Sequence, residues 1–235
     1  MANNTIARHS NVQTISKRMY NGLCFGLVTC SFLIMFAMYR MVLNGGLVAI
    51  VSSGAGLPVL IGSFVGTMAG LIMMGVARNR DNLGLSIAGY VLFSLTFGLT
   101  LAVALLNYTS YQITTAIGIT ACLSGIFFIA GLLYPEVFER ISGILMLSLI
   151  GLIVAETIAM IFFHANQSVF DYIAIAIFCG FIGFDSYKMA MDEPTVPNAI
   201  FHASDIYVDI ANILLRVLRI LNSDRGRCRL AVSCT

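Results

Sequence analysis

The chain has 235 residues, of which 59% are hydrophobic and 10% are charged, and its mean hydropathy is +0.92. Average globular proteins are about a quarter charged, so this composition excludes a soluble domain, a secreted disulfide scaffold, a nucleic-acid binder and a disordered chain. Residues 41–77 and 82–135 contain no charged side chain. Each stretch is far longer than the ~20 residues that cross a bilayer, which predicts one polytopic membrane domain.

Charged and turn residues divide the chain into seven apolar segments, and each is predicted to be a transmembrane helix. An unpaired backbone group is costly in lipid, and the segments lack the alternation of barrel strands. The segments are residues 20–39, 57–77, 83–106, 113–134, 141–163, 169–189 and 204–221. The fold class is therefore all-α. The predicted domain limits are a short cytoplasmic segment (1–19), a transmembrane domain (20–221) and a C-terminal tail (222–235).

The distribution of Lys and Arg predicts that the N-terminus lies in the cytoplasm. Cytoplasmic loops carry an excess of these residues. Arg8, Lys17 and Arg18 precede the first segment, and Arg78 and Arg80 follow the second. We expect the last segment to cross fully, although its basic tail then lies outside. Short loops favour a bacterial inner membrane, with an endoplasmic reticulum or Golgi membrane as the alternative.

The seventh segment carries a stripe of five polar residues. They are spaced four, three, four and three apart, which puts them on one helical face. They are Asp205, Asp209, Asn212, Arg216 and Arg219. One interpretation is an amphipathic helix that lies in the headgroup region. The other is a helix surrounded by the remaining six, with its acidic end lining a polar cavity. Internal pairing of Asp209 or Asn212 with Arg216 would then neutralise part of the stripe.

Asp185 and Asp209 are the acids with the clearest functional pattern. At 1.5 Å per residue, both are predicted to lie about 6 to 8 Å inside the bilayer, on consecutive antiparallel helices. Two carboxylates in a water-poor site titrate as a pair. The pattern predicts a proton-sensing dyad that binds calcium weakly and transiently, because a tight calcium site takes about six to eight oxygen ligands. The alternative for Asp185 is a juxtamembrane acid paired with Lys188.

Two further residues are candidates for a role in the membrane, and two histidines are not. Glu156 lies within the fifth segment. It is either a structural acid, neutral or hydrogen-bonded to a neighbouring Ser or Thr, or an extra acid on an ion pathway. Arg78 is either an interfacial anchor or a latch on the dyad. His164 and His202 are predicted to be loop or interfacial residues. We find no catalytic constellation, so we expect neither an enzyme nor a cofactor.

Two sequence motifs resemble those of a known family. Residues 184–188 (Phe-Asp-Ser-Tyr-Lys) resemble the Tyr-Asp-Thr-Gln-Lys signature at the end of the sixth helix of the Bax-inhibitor family of membrane proteins. Residues 205–214 (Asp-Ile-Tyr-Val-Asp-Ile-Ala-Asn-Ile-Leu) resemble that family's final helix. Residues 98–101 (Gly-Leu-Thr-Leu) match a run in its third helix. The chain departs from the pattern at Ser186 and Tyr187, which replace Thr and Gln.

The resemblance implies six helices around a central seventh and a pH-sensitive calcium leak. It assigns the proton-sensing dyad to Asp185 and Asp209, and the latch that closes the dyad to Arg78. It leaves Asp205 and Glu156 without a family counterpart. Calcium and protons would be the transported or sensed ions, in a lipid bilayer, with no nucleic acid involved.

Three functions follow as hypotheses. The first is a calcium leak gated by protons at the dyad. The second is a non-conducting regulatory protein that binds a membrane protease or cell-death and stress factors. The third is a proton-coupled transporter of small solutes, which would give Glu156 a role.

Overall fold

The computed structural model describes residues 14–45, 56–163 and 168–232. Within these ranges the chain forms seven α-helices, which confirms the predicted all-α fold. They are α1 (Lys17–Leu43), α2 (Gly56–Arg80), α3 (Leu83–Leu105), α4 (Ser110–Leu133), α5 (Pro135–Ile158), α6 (Ser168–Met191) and α7 (Val196–Val232). A π-helical stretch, Ala159–Phe163, continues α5.

The first six helices are each long and apolar enough to cross a membrane. The protein is therefore a multi-pass integral membrane protein. The seventh helix has 37 residues and carries the polar stripe. It begins before and ends after the predicted segment, so the predicted tail is helical as far as Val232. Most of the connection between α1 and α2 lies outside the described residues, and the predicted domain limits stay a prediction.

Local sequence signals explain where several helices begin. The Ser16 hydroxyl accepts a hydrogen bond from the Met19 N–H and so caps α1. Thr109 and Gln112 form a capping box at the start of α4, each side chain accepting from the other residue's backbone N–H. Such caps satisfy N–H groups that a helix leaves without partners. Pro135 opens α5, where its missing N–H costs nothing.

The chain divides into two compact units. The first unit consists of Met1–Val103 and Met191–Asp205, and the second of Ala104–Ala190 and Ile206–Thr235. The first thus contains α1 to α3 with the start of α7, and the second contains α4 to α6 with the rest of α7.

In the first unit, α2 and α3 approach each other closely at glycines. A Cβ added to Gly70 would lie 2.8 Å from the carbonyl oxygen of Gly89, so only a residue without a side chain fits there. Membrane helices pack through such small residues because apolar side chains gain little by leaving lipid. The Ser31 hydroxyl of α1 reaches α3, where it lies 2.9 Å from the Tyr90 hydroxyl and 3.4 Å from that of Ser94.

In the second unit, α6 is the interior helix and α5 faces outward. In an apolar 18-residue stretch of each helix, 56% of the residues are buried in α6 but only 6% in α5. A Cβ at Gly131 of α4 would collide with the Gly183 carbonyl and the Ser186 hydroxyl of α6. A Cβ at Gly180 would lie 2.5 Å from the Leu145 side chain of α5. These contacts position α6, and with it the acids at its two ends.

Candidate ion site

Asp185 of α6 and Asp209 of α7 lie together in the second unit. Their side chains are close enough to interact with each other, and the two residues are 6% and 7% exposed. A hydrogen bond between two carboxyl groups requires a proton on one of them. We call this pair the dyad. It is a site whose charge depends on proton uptake and release.

A thiol and an ammonium group lie near the dyad. Cys179, which is 2% exposed, is close enough to Asp209 to interact with its charge. The Lys188 ammonium lies 4.5 Å from the centre of the Phe184 ring, and its charge also acts on Asp185. Phe184 and Lys188 thus form a cation–π contact beside the acid, which differs from the simple Asp185–Lys188 pair considered as the alternative.

A second group of charges lies farther along the same two helices. Arg216 of α7 forms ion pairs with Glu156 of α5 and with Asp171 of α6. Its Nη2 donates to Glu156 Oε2 at 3.0 Å, and its Nη1 donates to Asp171 Oδ1 at 3.0 Å. Arg219 Nη1 is 3.1 Å from the same Asp171 oxygen. We call Glu156, Asp171, Arg216 and Arg219 the Arg216 cluster; it joins three helices.

Neutral polar groups border the Arg216 cluster. Burial raises the pKa of the Tyr108 phenol in the α3–α4 connection; the Arg219 charge opposes that increase and the Asp171 charge adds to it. Tyr108 therefore remains neutral. Gln112 donates from Nε2 to the Asn222 amide oxygen at 3.3 Å, which ties the start of α4 to α7.

A third set of ionisable residues belongs to the first unit. Asp192 follows α6 directly and forms an ion pair with Arg78, which lies in the last turn of α2. The His202 Nε2 lies 2.8 Å from the same Asp192 oxygen, and the His202 side chain is fully buried in α7. The Arg78 guanidinium also lies 5.1 Å from the centre of the Phe201 ring. Asp192 thus joins the end of α2 to the start of α7.

The structure gives the polar stripe of α7 partners on other helices. Arg216 contacts Glu156 and Asp171 rather than its neighbours in the stripe. Asn212 donates to the Val208 carbonyl of its own helix at 2.9 Å, and Asp205 belongs to the first unit. Residues around much of the α7 circumference are buried, including Ala211, Ile213, Leu214 and Leu218. This burial favours the enclosed helix over one lying in the headgroup region.

Two of the sequence-based assignments need correction. His202 is neither a loop nor an interfacial residue, because it lies within α7 with no exposed side-chain surface. The partner of Glu156 is an arginine rather than a Ser or Thr. His164 lies outside the described residues.

Sequence reasoning missed Asp171 and Asp192. A signal for Asp171 exists, because it precedes Asp185 by about four helical turns and so falls on the same face of α6. Asp192 gives no such signal, since it follows the helix in an irregular connection.

The fold and its buried charges define a polytopic α-helical membrane protein with ionisable groups inside its helix packing. Such groups are costly at membrane depth and are commonly retained for function. The family model described as "Inhibitor of apoptosis-promoting Bax1" matches residues 12–226. The chain belongs to this Bax inhibitor family, which confirms the resemblance seen in its motifs.

Individual relatives come from bacteria and yeast. The chain is similar to inner membrane protein YbhL of Escherichia coli (strain K12), with 24% identity over 178 residues that cover 71% of this chain and 75% of that protein. It is also similar to Bax inhibitor 1 of Schizosaccharomyces pombe, with 30% identity over 160 residues that cover 65% of this chain and 56% of that protein.

Proposed function

We propose that this protein is a pH-sensitive calcium leak, gated by the dyad of Asp185 and Asp209. The observation that carries the proposal is that these two carboxyl groups are both buried and close enough to interact. Membership of the Bax inhibitor family supports it, because the resemblance of the two motifs to that family implies such a leak. The proposed location is a bacterial inner membrane, in line with the name of the Escherichia coli relative, inner membrane protein YbhL. The proposed orientation has the N-terminus in the cytoplasm, as the distribution of Lys and Arg predicts.

The chemistry of the dyad explains how protons would control calcium. One shared proton holds the carboxyl groups together, whereas its loss leaves two negative charges that repel each other in a water-poor site. Two ionised carboxylates also attract a divalent cation, and too few oxygens are present to hold it tightly. Proton release thus creates a transient calcium site and loosens the contact between α6 and α7.

Arg78 is proposed to act as the latch of this gate. In the structure its guanidinium is paired with Asp192 and stacked on Phe201. Exchange of this partner is the step by which Arg78 would act, and Asp192 is the residue that competes for it.

Calcium flux into dye-loaded proteoliposomes, measured as a function of pH, tests the proposal. Wild-type flux is expected to depend on pH, and the Asp185→Asn and Asp209→Asn variants to lose that dependence. Asp81→Asn is the matched control, because Asp81 is exposed in the α2–α3 turn at φ 50°, a conformation that Asn tolerates. Unchanged pH profiles in both dyad variants would refute the mechanism.

The same vesicles separate the leak from a non-conducting regulator. A regulator that acts by binding another membrane protein gives no flux above that of empty vesicles when it is reconstituted alone. A small-solute transporter, in contrast, gives uptake that depends on the solute supplied.

A further inference from the structure

The proposed dyad mechanism leaves the Arg216 cluster unused. Its two carboxylates come from α5 and α6, and both contact one guanidinium on α7. The Asp171 and Arg216 side chains are 2% and 14% exposed. Burying such a network is expensive and gives little net stability compared with apolar packing, so a structural role alone explains it poorly.

The cluster and the dyad occupy different levels of the same pair of helices. Asp171 and Asp185 are about 21 Å apart along α6 at 1.5 Å per residue, and Asp209 and Arg216 are about 10 Å apart along α7. Cys179 lies between the two acids of α6 in the sequence and is buried beside Asp209. The second unit thus has two ionisable levels, with a buried thiol next to one of them.

We infer that Arg216, held by Glu156 and Asp171, is a second barrier to ions, at the level of the second unit opposite the dyad. This inference rests on the proposed function, because it adds a second closure to the same ion path.

The contacts of Arg216 explain why it would block cations. Its guanidinium is a fixed positive charge that remains protonated at any physiological pH. The two acids that would otherwise attract calcium are occupied by this guanidinium through charge-assisted hydrogen bonds. A cation can use their oxygens only if Arg216 leaves, and this requires breaking contacts to two helices at once.

Cys179 reports the state of this barrier independently of calcium. In a full-length variant that keeps Cys179 and has its other five cysteines replaced by serine, a membrane-impermeant methanethiosulfonate reagent labels only this thiol. Arg216→Gln is expected to raise the labelling rate by about tenfold or more, since a rate that follows local opening changes tenfold for each ~1.4 kcal/mol of lost local stability. Arg140→Gln, an exposed arginine of the same unit, should leave the rate unchanged.

A second variant guards against misfolding. Arg216→Gln combined with Glu156→Gln and Asp171→Asn removes three of the cluster's four charges together and leaves only Arg219, whose side chain is 41% exposed. Proteins tolerate such a joint removal better than the loss of one partner. The combined variant should also expose Cys179. Equal labelling of wild type and both variants would overturn the inference.

Calcium flux from the same preparations separates this inference from the proposed function. Faster flux in the Arg216 variants, with a pH dependence that still requires the dyad, supports both. If flux depends on the dyad but the Arg216 variants change neither flux nor labelling, only the second-barrier inference is refuted. If the variants increase labelling in proteoliposomes that conduct no calcium, Arg216 is still a barrier to water-soluble reagents, and the proposed calcium leak is refuted.

Discussion

The two units use polar residues inside their helices in different ways. In the first, the interior contacts include those of neutral hydroxyls, as at Ser31 and Tyr90, and of the buried His202 with Asp192. The ion pair of the first unit lies at the end of α2, with Arg78 and Asp192 each 29% exposed. In the second, the interior contains charged groups, including Asp171 and Arg216.

This difference separates packing from ion chemistry. A hydroxyl buried in a helix can bond to a carbonyl of its own turn, as Thr67 does to Ser63 at 2.8 Å, so its burial costs little. A buried carboxylate needs a proton or a cation. The second unit therefore has the buried carboxyl groups that the proposed leak requires, whereas the carboxylate that pairs with Arg78 and His202 in the first unit is partly exposed.

The largest effect is expected from Arg216→Gln. The substitution leaves Glu156 and Asp171 facing each other's charge without their common cation, and breaking a buried pair in this way costs about 3–5 kcal/mol. Unfolding by dodecyl sulfate in mixed micelles measures the loss, with Arg140→Gln as the exposed control. If Arg216→Gln loses no more stability than Arg140→Gln, the buried charges do not set the second unit apart from the first.

A similar but smaller loss is expected from Gly131→Ala. The new methyl group meets the Gly183 carbonyl and the Ser186 hydroxyl, so α4 and α6 must separate, and overpacking of this kind costs about 1–3 kcal/mol. Gly118→Ala and Gly125→Ala on the same helix are matched controls, because a Cβ at either glycine meets nothing within 4 Å. The same unfolding assay should show these two variants to be as stable as wild type.

Asp192→Asn tests the charged site of the first unit. It weakens the contacts to Arg78 and His202, and we expect a loss of about 1–2 kcal/mol, since charge-assisted hydrogen bonds contribute about 1.5–3 kcal/mol and this one is partly exposed. Glu193→Gln, the exposed neighbour, is the control in the same assay. A loss as large as that of Arg216→Gln would remove the contrast between the units.

The smallest effect is expected for the hydroxyl contact of Ser31 with Tyr90. Interhelical hydrogen bonds in membrane proteins contribute about 0.6 kcal/mol on average in double-mutant cycles. A cycle of Ser31→Ala and Tyr90→Phe should give a coupling energy of this size. A coupling above about 2 kcal/mol would mean that hydroxyls hold the first unit as firmly as charges hold the second.

The seven helices follow from the sequence because the length of an apolar run is a local property. The boundaries of α7 do not follow from the sequence in the same way, since Val196 and Val232 lie beyond the apolar run. There, helical propensity and packing determine where the helix begins and ends. The Asp185–Asp209 contact was predictable, because the sequence predicts similar depths for both acids on consecutive helices and the family motifs mark both.

The partners of the arginines were less accessible to sequence reasoning. Arg216 has acids within its own helix at suitable spacing, yet it pairs with residues 60 and 45 positions away. Which of several acids a guanidinium reaches depends on helix rotation and tilt, and these are set by contacts such as that of Gly131 with α6. Arg78 pairs with Asp192 for the same reason, and no local pattern marks that acid.

The position of Arg216 near the end of the chain has a consequence for biosynthesis. The ribosome delivers Glu156 and Asp171 to the membrane 60 and 45 residues before their cation. Until α7 has been translated, α5 and α6 hold two acids whose cation does not yet exist, and an unpaired acid is costly in lipid. Docking of the last helix supplies that cation, so the contacts of Glu156 and Asp171 with Arg216 form only when the final helix is in place.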